Sequence, residues 1–106
     1  MNQTLRKPDH APRRRRFLIH LSCAHDSRES RRYISRIEVW TSRRTAPTER
    51  HERLFADECA LIRAVNPLLP RGSDVRDVLG HIECNDGFFY LLHLTSEEAG
   101  TLGWRS

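Results

Sequence analysis

Three histidines could carry acid–base chemistry if the fold brings them to one surface. His20 alternates with Phe17 and Ile19, and this alternation places its side chain on the opposite side of a strand. His81 and His93 could share that side. Imidazole titrates near neutral pH, so such a group could support RNA hydrolysis by a small histidine-dependent nuclease. We rank this hypothesis third, because a one-residue shift in strand register would move any of the three to the other face.

Cysteine and histidine together offer a weaker metal hypothesis. A zinc site would need Cys23 and His25 to meet His81 and Cys84. His81 and Cys84 are three residues apart, so in a regular strand they point to opposite faces. We therefore predict no metal site and no cofactor. The three cysteines also lack the spacing of a disulfide framework, so we expect reduced thiols and a cytoplasmic protein.

The distribution of charge is the stronger chemical signal. Residues 1–46 hold twelve basic and four acidic residues, net +8, whereas residues 47–106 hold six and ten, net −4. Such asymmetry is typical of a chain whose partner is a polyanion or an acidic protein. Guanidinium groups match phosphate oxygens, and aromatic rings between them can stack on bases. The predicted nucleic-acid contacts are Arg13, Arg14, Arg15, Arg16, Arg28, Arg31, Arg32, Arg36, Trp40, Arg43 and Arg44.

The leading hypothesis is a non-enzymatic small binding module that contacts nucleic acid, or another polyanion, through a basic arm and its N-terminal basic segment. The alternative is a protein-binding inhibitor or accessory factor. It would act on a host protein, in the manner of host-defence inhibitors from phages and other mobile elements, through an exposed sheet face or the acidic C-terminal half. No apolar run reaches membrane-spanning length, so we expect no membrane partner. An unpaired edge strand at residues 16–23 could support a homodimer.

The elements that would position these groups begin with an arm. Residues 1–15 are basic, contain two prolines and hold few large apolar side chains, so we predict a disordered arm followed by one domain over residues 16–106. Alternation predicts strands at 16–23 and 33–40. In the second strand, Tyr33, Ile37 and Val39 share the core-facing side, which leaves Arg36 and Trp40 on the other side as the preferred contacts.

Helical spacing predicts a helix over residues 47–66. An apolar stripe would bury it against a sheet, and Pro67 would end it. The stripe consists of Leu54, Phe55, Cys59, Ile62 and Val65, with Cys59 as a small buried side chain. A short helical turn could follow from Ser73 and stop at Gly80.

The last third of the chain predicts a hairpin and a helix. Residues 81–84 and 88–94 flank Asn85-Asp86-Gly87, which favours a three-residue turn with Gly87 at positive φ. The second of these strands is apolar on both faces, which suggests a central position. Thr95 and Glu98 form a capping box for a short C-terminal helix. The order ββαββα predicts a small α+β two-layer sandwich, in which two hairpins form a four-stranded antiparallel sheet on one amphipathic helix.

Overall fold

Alternating side chains build the two longest strands. The computed structural model describes residues 13–27, 30–39, 49–84 and 86–105. Strand β1 spans Arg15–Ser27 and pairs antiparallel with β2, Ser30–Val39. Alternate residues of both strands point to one side and are buried, as the sequence predicts. These inward residues are Phe17, Ile19, Leu21, Tyr33, Ser35 and Ile37.

Two further strands complete a four-stranded antiparallel sheet. Strand β3 spans Glu49–Phe55 and pairs with β2, while β4 spans Phe88–Leu94 and pairs with β1. The strand order is therefore β3-β2-β1-β4. With helices packed on one side, this arrangement confirms the predicted α+β fold class.

The first half of the predicted helix at 47–66 is instead the edge strand β3. Its charged residues are matched across the sheet: Arg36 Nε lies 2.9 Å from Glu52 Oε2, and Arg50 Nε lies 3.0 Å from Glu38 Oε2. Opposite charges on paired strands favour the pairing, and the strand also buries Phe55 in the core; this long-range gain outweighs the local helical pattern. The predicted stripe is therefore partly wrong, because Leu54 points to solvent with 58% of its surface exposed.

Helix α1, Glu58–Val65, begins only after the strand has ended. Asp57 is its N-cap, and the Asp57 carboxylate accepts a hydrogen bond of 2.8 Å from the Ala60 amide. A 3-10 turn with Pro67 at its centre follows, so the predicted stop is confirmed. Val65 is buried as predicted, but Cys59 is exposed, which corrects its assignment to the core.

The predicted strand at 81–84 is helical. A 3-10 turn over Val75–Val78, capped by Asp74, continues directly into helix α2, Leu79–Glu83. The helical turn buries Ile82 completely, and it lets the Tyr33 hydroxyl donate a 2.8 Å hydrogen bond to Glu83 Oε2. The second hairpin is thus absent from the described residues, and β4 pairs with β1 instead.

The turn chemistry around β4 follows the sequence closely. Gly87 has a φ of 72°, as predicted, and a side chain there would collide with the Leu21 carbonyl oxygen. Helix α3, Ser96–Gly100, follows β4 and has the full capping box of Thr95 and Glu98. Gly103, with a φ of 106°, then turns the chain beneath β3.

All described helices lie on the side of the sheet that we call the inner face. The C-terminal segment belongs to this layer: Ser35 Oγ donates a 2.7 Å hydrogen bond to the Leu102 carbonyl, and the Trp104 ring packs 5.0 Å from that of Phe17. The core cluster joins inward strand residues to buried helix residues. The helix-side members are Leu61, Val65, Leu69, Val75, Ile82, Ala99, Leu102 and Trp104.

The position of β1 changes two predictions, the C-terminal limit of the arm and the location of the free sheet edge. Residues 1–12 of the predicted arm lie outside the described residues, and Arg15 is already part of β1. Residues 16–23 form an interior strand, so the dimer edge predicted there is wrong: both sides of β1 are paired at Leu18 through Leu21. Within the described ranges, no helix has the length and apolarity needed to cross a membrane.

Candidate functional site

The candidate site is the sheet face opposite the helices, which we call the outer face. Every strand contributes alternate residues to it, and no described helix covers it. All three large apolar side chains recorded as exposed in the described structure point from this face. They are Leu54 on β3 and Phe89 and Leu91 on β4, with exposed fractions of 58%, 56% and 58%. Exposed large apolar side chains on a sheet face that no described helix covers make this face the candidate site.

The centre of the outer face is a row of four cross-strand neighbours. The imidazole of His20 stacks on the ring of Phe89, with centroids 4.3 Å apart and planes 25° from parallel. On the other side of His20 lies Arg36, which pairs with Glu52. The row therefore places an exposed aromatic surface and a guanidinium on either side of one imidazole.

Beside this row, the outer face has a shallow hollow of about 250 Å³. Leu18 and Leu91 are cross-strand partners and provide its apolar lining, while Arg16 and Glu38 add one charge of each sign. The Glu38 residue is only 7% exposed, and its carboxylate already accepts a hydrogen bond from Arg50. A flat apolar group with polar edges would fit the chemistry of this lining.

The four arginines at the start of β1 are all exposed, but the fold uses them differently. Arg14 Nη1 lies 2.7 Å from Glu98 Oε1 and donates to the His93 carbonyl at 3.2 Å. Arg15 lies over the Trp104 ring, 5.5 Å from its centroid. Arg16 lines the hollow. Two of the four thus also hold the fold together.

The contacts of Glu98, in the helix that follows β4, lower the pKa of its carboxyl group. The backbone amide of Thr95 donates a 2.9 Å hydrogen bond to Glu98 Oε1 and holds the pKa of that carboxyl below its ordinary value. The Arg14 guanidinium lowers the pKa further by hydrogen bonding and charge. The carboxylate therefore remains ionised and keeps Arg14 beside the sheet.

The remaining predicted contact residues do not gather in one place. Arg36 lies on the outer face as predicted, whereas Arg31 and Arg32 begin β2 at the far end of the hairpin. Twelve residue steps separate the two ends of β1, or about 40 Å. The side chain of Arg31 and the positions of Arg28, Trp40, Arg43 and Arg44 lie outside the described residues.

The three candidate histidines do not converge. His20 and His93 both lie on the outer face, but Phe89, the partner of His20, is four residue steps from His93 along β4, or about 13 Å. His81 lies on α2, on the inner side of the sheet, where its ring is 5.9 Å from that of Phe88. These separations exceed the hydrogen-bond reach that cooperating acids and bases require.

No group of three or more potential metal ligands occurs among the residues that the structure describes. Cys23 is half-buried, and Cys59 and Cys84 are exposed; all three are free thiols. Comparison with known proteins gives no match to a family model, a curated protein or a solved structure. The outer face is therefore the feature of the molecule from which a function can be inferred.

Sequence reasoning missed the apolar members of this face. Phe89, Leu91 and Leu18 alternate with core residues, and the pattern of β4 suggested a strand buried on both sides. Both sets of alternate residues in β4 are mainly apolar, so the pattern contains no signal for which side is exposed. Only the tertiary structure shows that, among the described residues, the helices pack on one of these apolar sides and leave the other exposed.

Proposed function

We propose that this protein is a small, non-enzymatic module that binds single-stranded nucleic acid on the outer face of its sheet. The observation that carries the proposal is the exposed Phe89 ring on the edge strand β4, which stacks on His20 of β1. The ring lies on a sheet face that no described helix covers, beside the arginines of β1 and β2. Sheets that expose aromatic rings beside cations bind unpaired bases by stacking and phosphates by charge. Its three free cysteines fit a cytoplasmic location, where thiols stay reduced.

The Phe89 ring, the hollow and the outer-face arginines each have a role in this proposal. One base stacks on Phe89, and a neighbouring base enters the hollow above Leu18 and Leu91. Arg13 and Arg16 are exposed at the hollow end of β1 and contact phosphates. Arg36 joins them by exchanging its bond to Glu52 for a phosphate oxygen, since exposed ion pairs contribute little stability.

The proposal is tested by fluorescence anisotropy with labelled single-stranded RNA, single-stranded DNA and duplex DNA over a range of salt concentrations. We expect the single strands to bind more tightly than the duplex. Phe89→Ala should weaken single-strand binding by about tenfold, because stacking on an aromatic side chain contributes about 1–3 kcal/mol per base. Leu54→Ala is the matched control: it truncates another exposed side chain on the same face, at the far edge, and should leave affinity unchanged.

The contribution of charge to nucleic-acid binding is tested with a matched pair of double variants. The variant Arg13→Gln with Arg16→Gln should flatten the slope of log K against log salt by about 1.4, since each single-strand phosphate contact contributes about 0.7. Arg63→Gln with Arg71→Gln removes the same charge from exposed sites on the helix-bearing part of the chain and should leave the slope unchanged. Truncation from the N-terminus should stop at residue 12, because Arg14 and Arg15 contact Glu98 and Trp104. If the wild type fails to bind any of the three probes at low salt, the proposal is wrong.

A protein partner on the same face is the second candidate, and a specific observation favours it. Arg36 and Arg50 are paired with Glu52 and Glu38, so much of the outer-face charge is neutralised. A partly neutral face with three exposed apolar side chains resembles a protein-binding surface more than a phosphate track. This candidate would be favoured if nucleic acid does not bind and a purified host protein forms a stoichiometric complex that Phe89→Asp abolishes.

A further inference from the structure

We propose that two copies of this chain form a two-fold symmetric dimer by antiparallel pairing of their β4 strands. The proposal depends on the free edge of the sheet rather than on the nucleic-acid face. Strand β4 is the last strand in the order β3-β2-β1-β4, so among the described elements only β1 pairs with it. Within the described structure, the backbone donors and acceptors on the outward edge of β4 therefore have no strand paired with them.

The composition of β4 leaves this edge unprotected. Edge strands ordinarily carry charges or proline, or contain bulges, to prevent pairing with another strand. Phe88–Leu94 reads FFYLLHL and contains no Asp, Glu, Lys, Arg, Pro or Gly. Its pairing with β1 is continuous over seven residues without a register shift. A straight and uncharged edge of this length is a template for a further strand.

A second copy is the occupant that the chemistry of β4 fits. When a strand pairs with itself about a two-fold axis, the residue on the axis meets its own copy, so any charge there would be repelled. Pairing about Leu91 places Leu91 against Leu91 of the second copy and Phe89 against His93. On the inner side it places Tyr90 against Leu92 and Phe88 against Leu94. No pair in this register joins like charges, and most pairs join apolar or aromatic side chains, which favours self-association.

The dimer would join the two sheets into one of eight strands. Phe89 and Leu91 of both copies would then form one continuous apolar band across the outer face, because side chains alternate in phase on paired strands. Each copy would keep its own arginines at the start of β1, at opposite ends of the joined sheet. The dimer is tested without nucleic acid, because pairing would place Phe89 and Leu91, which the proposed function also uses, beside residues of the second copy.

The test is the association state of the full chain, without nucleic acid, measured by sedimentation velocity over an approximately hundredfold range of protein concentration. We expect a concentration-dependent dimer for the wild type. Leu91→Lys should raise the dissociation constant at least about tenfold, because it places two ammonium groups opposite each other across the axis. Leu54→Lys is the matched control, since Leu54 has the same exposed fraction of 58% and lies on the same face but on the other edge. It should leave the dissociation constant unchanged.

A complementary pair distinguishes edge pairing from general damage. Leu91→Lys and Leu91→Glu should each be monomeric, and an equal mixture should form a heterodimer at least as stable as the wild-type dimer. Circular dichroism should show that both variants are folded, because Leu91 is exposed. A wild type that stays monomeric throughout the range would overturn the proposal. So would loss of the dimer in Leu54→Lys, or a Lys–Glu mixture that stays monomeric.

Discussion

The two edge strands of the sheet, β3 and β4, differ in the interactions that hold them to the sheet and in how open they are to pairing with another strand. Both strands have seven residues, and each pairs antiparallel with one central strand. Strand β3 reads ERHERLF and carries four charged residues, whereas β4 carries none. Two of the charged residues of β3, Arg50 and Glu52, pair with charges on β2, and charges on an edge strand also discourage pairing with a foreign strand. The apolar β4 gains its stability from packing and leaves an edge that another strand can occupy.

The contrast also explains where local patterns mislead. Charge and apolar spacing in residues 49–55 fit a helix, but cross-strand partners on β2 decide for a strand. The apolar run in β4 fits a central strand, but the chain offers no further described strand to cover it. The amino-acid composition of an edge strand therefore depends on its neighbouring strands as much as on its own backbone conformation.

The largest expected effect tests what anchors the charged edge. Phe55 is 2% exposed and is the one large apolar side chain that β3 sends into the core, among residues described. Phe55→Ala should reduce the free energy of unfolding by about 3–5 kcal/mol, measured by denaturant titration. Leu54→Ala, its exposed neighbour, should change the free energy of unfolding by less than about 0.5 kcal/mol. Similar losses for both variants would mean that charge pairs, not Phe55, hold this edge.

The turn that starts the apolar edge should be the next most sensitive. Gly87→Val should cost more than about 1 kcal/mol, because a β-branched residue resists positive φ. In addition, its Cβ would lie 2.5 Å from both His20 Nε2 and the Leu21 carbonyl oxygen. Gly80→Ala is the control: it lies in α2 with no atom within 4 Å of the new methyl group, and it should stabilise the fold by up to about 1 kcal/mol. Thermal unfolding of both variants distinguishes backbone strain from a general intolerance of larger residues.

The capping box at the start of α3, directly after β4, should contribute less to the free energy of unfolding. The Thr95 hydroxyl accepts a 3.0 Å hydrogen bond from the Glu98 amide, and Thr95→Ala should cost about 1 kcal/mol in chemical denaturation. Ser96→Ala removes a hydroxyl from the adjacent exposed position and should be nearly neutral. An equal cost for the two substitutions would show that the capping box does not stabilise this end of the strand.

The smallest expected effect is the pH dependence of the free energy of unfolding that Glu98, in the same capping box, contributes. The folded-state pKa of Glu98 lies below its ordinary value of 4.5, so its contribution is present above pH 4.5 and is lost as the pH falls through the folded-state pKa. The difference in unfolding free energy between wild type and Glu98→Gln should therefore shrink as the solution is acidified below pH 4.5. Glu97→Gln removes the same charge one residue away and serves as the control. A difference for Glu98→Gln that stays constant down to pH 2 would contradict the assignment.

Local patterns in the sequence determined the parts of this protein that short-range physics controls. The alternation in β1 and β2 identified the buried side of each strand, since successive side chains must point to opposite faces. Gly87 and the Thr95–Glu98 capping box were predictable because backbone sterics and hydrogen bonds within four residues fix them. Pro67 follows the end of α1, because proline has no N–H to continue the helical hydrogen bonds; Asn66 before it nevertheless keeps a helical backbone.

The tertiary structure alone decided strand order, edges and the site. Whether Leu54, Phe89 and Leu91 face a second layer or solvent depends on which strands are neighbours, and pairing between distant segments carries no local signature. The separation of His20, His81 and His93, and the different partners of Arg14, Arg15 and Arg16, depend on the same long-range pairing. A residue's type limits the chemistry that it can perform, but register and packing decide which other residues it meets.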